Sequence, residues 1–190
     1  DRTANSLKEH GMTVMVFDNR EEAKKTVLQL IPEGAEVMNQ TSVTLDETGV
    51  AREIDEGGRY RTVRKELDAI EDGAKRLAFR RKIAAVEYTV GSVHAVTEEG
   101  QVLIASKTGS QLSPYAYSAA KVIWVVGTQK IVKDLNQAFK RIREHSLPLE
   151  DARVRKLMGM GSSIGKILVV EREAIPDRIR IIFVKERLGF

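Results

Sequence analysis

The chain has no cysteine. Disulfides, thiolate metal sites, a cysteine nucleophile and a cysteine-ligated iron–sulfur cluster are therefore excluded for these residues. Histidine occurs only at positions 10, 94 and 145, too scattered for a histidine metal cluster, so no metal site is expected. Aromatic side chains make up 5% of the chain. The densest basic stretch, Lys75, Arg76, Arg80, Arg81 and Lys82, has only Phe79 among its charges. It reads as a solvated helix face, and no nucleic-acid partner is expected. No apolar run approaches the roughly 20 residues of a membrane span, so no span is expected. There is no start methionine and no signal-like apolar stretch, and Asp1-Arg2-Thr3 reads as the edge of a longer chain. The expected location is cytoplasmic.

What the chain does have is mixed charge and strand-forming runs. Of its 190 residues 42% are apolar and 31% charged, with a formal net charge of +4 and a sequence pI of about 9.3. This length suits one domain, residues 1–190, able to bury roughly two-thirds or more of its unfolded surface. No internal repeat or low-complexity tract is visible.

Hydrophobic periodicity predicts alternating strands and helices. Met12–Phe17 reads as a buried strand. Asp18-Asn19 then caps a helix over about Arg20–Ile31, whose Ala23, Val27, Leu28 and Ile31 share a face. Further strands are expected at Ala35–Met38, Val86–Val90, Val102–Ala105 and Val122–Val126. Between them lie a helix starting near Val43, a charged and mostly helical stretch from Ala51 to Ala84, and a turn-rich crossing at Gly91–Glu99. Helices are expected at Val132–Glu144 and Asp151–Leu157. Lys166–Val170 and Arg178–Val184 read as a hairpin-like pair at the sheet edge, around Ile175-Pro176-Asp177. The whole predicts an α/β fold: an open, mostly parallel sheet flanked by helices, with the strands near Met12, Val102 and Val122 in one sheet.

Open α/β sheets bind ligands beyond the carboxyl ends of their strands. Four polar turns fall there: Asn39–Ser42, Gly91-Ser92, Lys107–Gln111 and Gly127–Lys130. Backbone amides and small hydroxyls suit phosphate or carboxylate, and Lys107 or Lys130 adds a point charge. The candidate ligand-binding residues are Ser42, Gly91, Ser92, Thr108, Gly109 and Ser110, expected to meet in one cleft. The Lys107–Gln111 turn is read either as an anion nest or as a plain connector. Gly159–Lys166 is not a P-loop, because Met160 and Ile167 stand where the pattern requires glycine and Ser or Thr. It reads as a flexible linker. Glu98, before Glu99-Gly100, is a possible base or nucleophile, and His94 lies four residues earlier.

The stretches PEGAEVMNQTSVTLDETGV, GSVHAVTEEGQVLIASKTGSQ, VIWVVGTQKIVKDLNQAFKRI and the ending IRIIFVKERLGF resemble the LUD domain family, of the lactate utilisation protein C-like kind. The resemblance runs from about Gly11 to Phe190. It implies the NagB/RpiA/CoA transferase-like fold, shared by glucosamine-phosphate deaminase, ribose-phosphate isomerase and coenzyme A transferases. It also implies a link to oxidation of L-lactate to pyruvate, beside iron–sulfur partner proteins. Its motif positions are Ser42, Glu98, Gly100 and Gly109. Coenzyme A transferases of this fold use a glutamate in a Glu-x-Gly-type turn, which makes Glu98 the candidate catalytic residue.

The chain departs from many members at Lys156–Lys166, where Gly, Met and Ser replace a cysteine-rich stretch, and at Ser110, where Asn is common. The expected ligand is a small carboxylate, phosphate or thioester, and no cofactor is named by the residues. Two classes stay open. One is an enzyme, including a coenzyme A-transferase-like or sugar-phosphate enzyme using Glu98. The other is a non-catalytic accessory or regulatory module.

Overall fold

Strands buried on both faces read as unbroken apolar runs, and the central sheet is built from such runs. A computed structural model describes residues 2–190. Among the described residues the strands are β1 (Thr13–Phe17), β2 (Glu36–Asn39), β3 (Arg61–Thr62), β4 (Tyr88–Gly91), β5 (Ala95–Thr97), β6 (Val102–Ser106), β7 (Lys121–Gly127), β8 (Ile131–Val132), β9 (Lys166–Val170) and β10 (Ile179–Val184). The α-helices are α1 (Arg2–Glu9), α2 (Arg20–Leu30), α3 (Val43–Thr48), α4 (Val50–Glu56), α5 (Val63–Asp68), α6 (Gly73–Lys82), α7 (Leu135–Arg141) and α8 (Leu147–Met158). Side-chain caps start four of them. Asn19, Ser42, Asp72 and Asp134 accept from the amides of Glu22, Leu45, Lys75 and Gln137.

Six strands form the central sheet in the order β1-β10-β7-β4-β2-β3, all parallel. Val14, Ile181, Trp124 and Gly91 lie side by side across four of them. Alternation divides β7 between two layers. Val122, Trp124 and Val126 pack with Leu7 of α1 and Leu67 of α5. Ile123 and Val125 pack with Ala23 and Val27 of α2, Leu45 of α3 and Ile54 of α4. Each large apolar side chain so buried contributes about 1.5–3 kcal/mol before entropy is counted.

A second sheet has the order β8-β5-β6-β9. β6 runs antiparallel to both β5 and β9, and β8 runs parallel to β5. Ala138 of α7 and Ile142 cover it. This corrects the expectation that Val102–Ala105 shares the central sheet. Ala95–Thr97 is a strand inside the expected crossing, and the Glu98–Gly100 turn closes it onto β6 as a hairpin. So short a turn can join only antiparallel neighbours, which takes β6 out of a parallel sheet.

β9 and β10 are not a hairpin either. β9 pairs with β6, while β10 lies between β1 and β7. Ile179, Ile181, Ile182, Phe183 and Val184 are all buried, a two-faced apolar pattern that belongs inside a parallel sheet. The expected Val132–Glu144 helix starts only at Leu135, after the Asp134 cap. It runs through a π-helical turn at Ile142–Ser146 into α8, which contains the expected Asp151–Leu157 helix.

A buried ion pair fixes the start of β10. Arg178 and Glu173 meet at 2.7 Å with side chains only 3% and 10% exposed. The same guanidinium donates to the carbonyls of Pro114 at 2.9 Å, Tyr115 at 3.1 Å and Ala119 at 3.1 Å. It thereby clamps the π-helical turn Pro114–Ser118 to the sheet. Arg178→Met strands a buried carboxylate and three carbonyls, so a loss of about 3–5 kcal/mol is expected in urea unfolding. Glu173→Gln, which keeps a hydrogen-bonding oxygen, should lose less.

Candidate functional site

The carboxyl ends of β2, β4 and β7 open onto a cleft of about 270 Å³. Gln40, Thr41 and Ser42 come from the turn after β2, Ser92 and His94 from the turn after β4, and Lys130 from the turn after β7. The opposite wall belongs to the second sheet and its helix. It includes Ser106, Lys107, Ser110 and Gln111 after β6, Glu150 and Arg153 of α8, and Ser162–Ile164 before β9.

Lys130 lies at the floor with 3% of its surface exposed. Its amine donates to Thr44 Oγ1 at 2.9 Å and Ser92 Oγ at 3.1 Å. Among the described residues no carboxylate lies within ion-pair distance of it. Burial pushes the amine down to about 7, the Arg141 guanidinium pushes the same way, and the Glu47 carboxylate opposes them without making an ion-pair contact. The last residues of the chain close over this point. Gly189 adopts φ +62°, and a Cβ there would collide with Thr44 Oγ1 and come within 3.4 Å of the amine. Only glycine suits that backbone and that approach.

Charge around the cleft is one-sided. Among the described residues Arg64, Arg80, Lys107, Lys130 and Arg153 line it, against the single side-chain carboxylate of Glu150. Glu150 is already taken by Arg153 through a bidentate pair at 2.7 and 2.8 Å. Arg64 donates to Asn39 O at 3.1 Å and Thr41 Oγ1 at 2.9 Å, and Lys107 to Gly161 O at 3.0 Å. Burial lowers the Arg80 pKa, and the neighbouring Arg76 and Arg64 lower it further. Among the described residues no His, Asp or Glu cluster suits a metal ion.

Two uncharged groups complete the walls. Burial, with Lys130 and Arg141 nearby, pushes His94 down to about 3. Its Nδ1 accepts from the Ala105 amide at 3.2 Å, so it is a neutral brace between the two sheets. The Tyr115 ring stands edge-on to Trp124, 5.4 Å between centroids. Its buried hydroxyl lacks a partner in hydrogen-bond geometry, although the Ser92 amide lies beside it, and burial raises its pKa.

The structure brings Ser42, Ser92 and Ser110 of the sequence-derived set to the cleft wall. Gly91, Thr108 and Gly109 lie outside it. Gly91 makes room for Tyr115, whose hydroxyl a Cβ would strike. Of the two readings of Lys107–Gln111 the plain connector is the better supported, since two of its amides bond within the turn. Gly109 N donates to Ser106 Oγ at 3.0 Å and Ser110 N to Thr108 Oγ1 at 3.3 Å. Gly109 is glycine because φ is +90° and a Cβ would come within 2.8 Å of Lys166 Cδ.

Glu98 does not reach this cleft. It sits on the β5–β6 turn, outside the cleft walls, with its carboxylate on Arg2 at 3.1 Å. The hairpin that removes β6 from the central sheet carries this turn away from the ligand rim. The supposed linker at Gly159–Lys166 instead supplies wall residues Ser162–Ile164, anchored by Ser162 N on Asp151 Oδ1 at 2.7 Å.

The LUD domain signature matches residues 1–184. The chain belongs to the LUD domain family. A DUF162 family protein from Deinococcus radiodurans superposes on this LUD domain with a TM-score of 0.57 at 10% identity, over 96% of this chain and 94% of that one. At that identity the likeness concerns the fold alone. The ribose 5-phosphate isomerase A of Neisseria gonorrhoeae matches with a TM-score of 0.36 and 14% identity, over 61% of this chain and 53% of that one. The eIF2B beta of Chaetomium thermophilum matches at 0.41 and 13%, over 62% and 44%. No curated protein matches in sequence.

Arg64, Arg153 and Tyr115 of this LUD domain carry no sequence signal of a site. Arg80 falls in the basic stretch read as solvated, and α6 indeed buries no residue, yet Arg80 reaches the cleft.

The Lys130 amine also makes a pH prediction. Its folded pKa of about 7 lies below the model-compound value of 10.5, so between the two the unfolded chain binds more protons. Stability should therefore rise as pH climbs from about 7 to about 10. Lys130→Met removes that slope. The variant should be the more stable by a few kcal/mol near pH 7, a margin that shrinks toward pH 10, as read by urea unfolding.

Proposed function

We propose that this LUD domain, as a single domain, binds a small anionic metabolite at the carboxyl ends of the central strands and serves lactate utilisation. One observation carries the reading: four cationic side chains besides the buried Lys130 line the cleft and, among the described residues, its only side-chain carboxylate is already paired. A carboxylate, phosphate or thioester ligand would supply the missing negative charge. The family's association with lactate utilisation favours a small carboxylate such as L-lactate or pyruvate. Oxidation of lactate to pyruvate releases electrons, and a chain without cysteine cannot hold a thiolate-ligated cluster to receive them. Iron–sulfur partner proteins are the expected acceptors, and the cytoplasm is the expected setting.

The coenzyme A-transferase-like alternative needs Glu98 at the ligand, and the Arg2 pair outside the cleft speaks against it. The accessory-module alternative uses the same site without turnover.

Calorimetric titration with L-lactate, pyruvate, phosphate and coenzyme A tests the reading. At least one should bind, more weakly as salt rises. Arg64→Gln and Arg80→Gln should each weaken binding by about ten-fold or more, a charge-assisted hydrogen bond being worth roughly 1.5–3 kcal/mol. Glu98→Gln should leave affinity within about two-fold, as expected for an exposed pair. Absence of binding by all four ligands, or indifference to both arginine substitutions, overturns the proposal.

A further inference from the structure

We propose that the Lys130 amine forms a Schiff base with a carbonyl compound that carries an anionic group, either a 2-oxo acid or a ketose phosphate. The inference rests on the anion-cleft reading and goes beyond it. A lysine placed for structural charge would meet a carboxylate, because a buried unpaired ammonium is costly. Lys130 meets only the two hydroxyls of Thr44 and Ser92. A lysine placed only to attract anions would need no burial, and Arg64, Arg80, Lys107 and Arg153 already serve that purpose. What burial among like charges does provide is a neutral amine with a free lone pair, the form that attacks a carbonyl. The Arg141 guanidinium holds the amine toward that form.

The step balances without an oxidant or reductant. The Lys130 nitrogen lone pair forms a C–N bond to the carbonyl carbon, and the carbonyl π pair moves to oxygen. One amine proton passes to that oxygen, giving a carbinolamine, and the Ser92 and Thr44 hydroxyls are placed to relay it. The nitrogen lone pair then expels the hydroxyl, which leaves as water with the second amine proton. A C=N bond remains at Lys130, and the arginines face the carboxylate or phosphate of the bound compound.

Reductive trapping in the unmodified protein tests this. The chain is incubated separately with pyruvate and with dihydroxyacetone phosphate, reduced with cyanoborohydride, digested and mapped by mass spectrometry. The peptide containing Lys130 should gain the mass of the carbonyl compound less one oxygen. Its yield should exceed that at the exposed Lys156 and Lys185 amines by about ten-fold or more, as expected for a bound rather than collisional reaction. An adduct with pyruvate alone assigns the site to 2-oxo acids, and one with dihydroxyacetone phosphate alone assigns it to sugar phosphates. If calorimetry shows anion binding but Lys130 stays unmodified, or is modified no more than the surface lysines, the Schiff base is overturned and the anion cleft stands. If neither compound binds or is trapped while L-lactate, phosphate or coenzyme A does bind, the Schiff base alone is overturned; if none of these anions binds, this inference falls together with the reading beneath it.

Discussion

A buried amine that no carboxylate contacts among the described residues is the constraint on which the rest of the site depends. Lys130 follows β7, Thr44 belongs to α3 after β2, and Ser92 follows β4, so one Nζ ties three strand ends together. The desolvation that lowers its pKa is opposed in contact only by two neutral hydroxyls, and from farther away by the Glu47 carboxylate. Neighbouring backbone must come close to enclose it. Gly189 has no Cβ because Thr44 and Lys130 occupy that space, and the Leu188 carbonyl accepts from Thr44 at 3.3 Å and Gln129 at 2.7 Å. The same packing that hides the amine from water brings the Leu188-Gly189-Phe190 segment to the rim.

The two sheets divide the work. The parallel sheet supplies the floor, since its strand ends converge and its turns are short and polar. The small mixed sheet, through β6 and the segment before β9, supplies the opposing wall and joins it to α8. His94 links the halves by accepting the Ala105 amide, which requires a neutral ring and is consistent with a pKa held near 3. The Arg178 clamp holds the turn carrying Tyr115 in place from below. Like charges gathered in such a frame repel one another, which costs stability in the folded chain.

Local pattern carried much of the fold. Apolar, β-branched runs mark β1, β2, β6, β7, β9 and β10 because a strand buried on two faces has nowhere to put a charge. Asn19 and Ser42 are readable as caps because their side-chain oxygens satisfy orphan amides at a helix start. The polar turns after β2, β4 and β7 are readable as meeting at one cleft because parallel strands expose those ends together. Tertiary structure alone decided which strands pair. A one-dimensional pattern records burial and period but not partner, so it left open that β6 joins a second sheet and β10 the middle of the first. It also decided the chemistry of the wall. Arg64, Arg80 and Arg153 sit on helices whose charges look solvated in sequence, and Glu98 sits on a turn that looks catalytic. A charged side chain gains its meaning from what desolvates or pairs it, and that is set by residues far away in the chain.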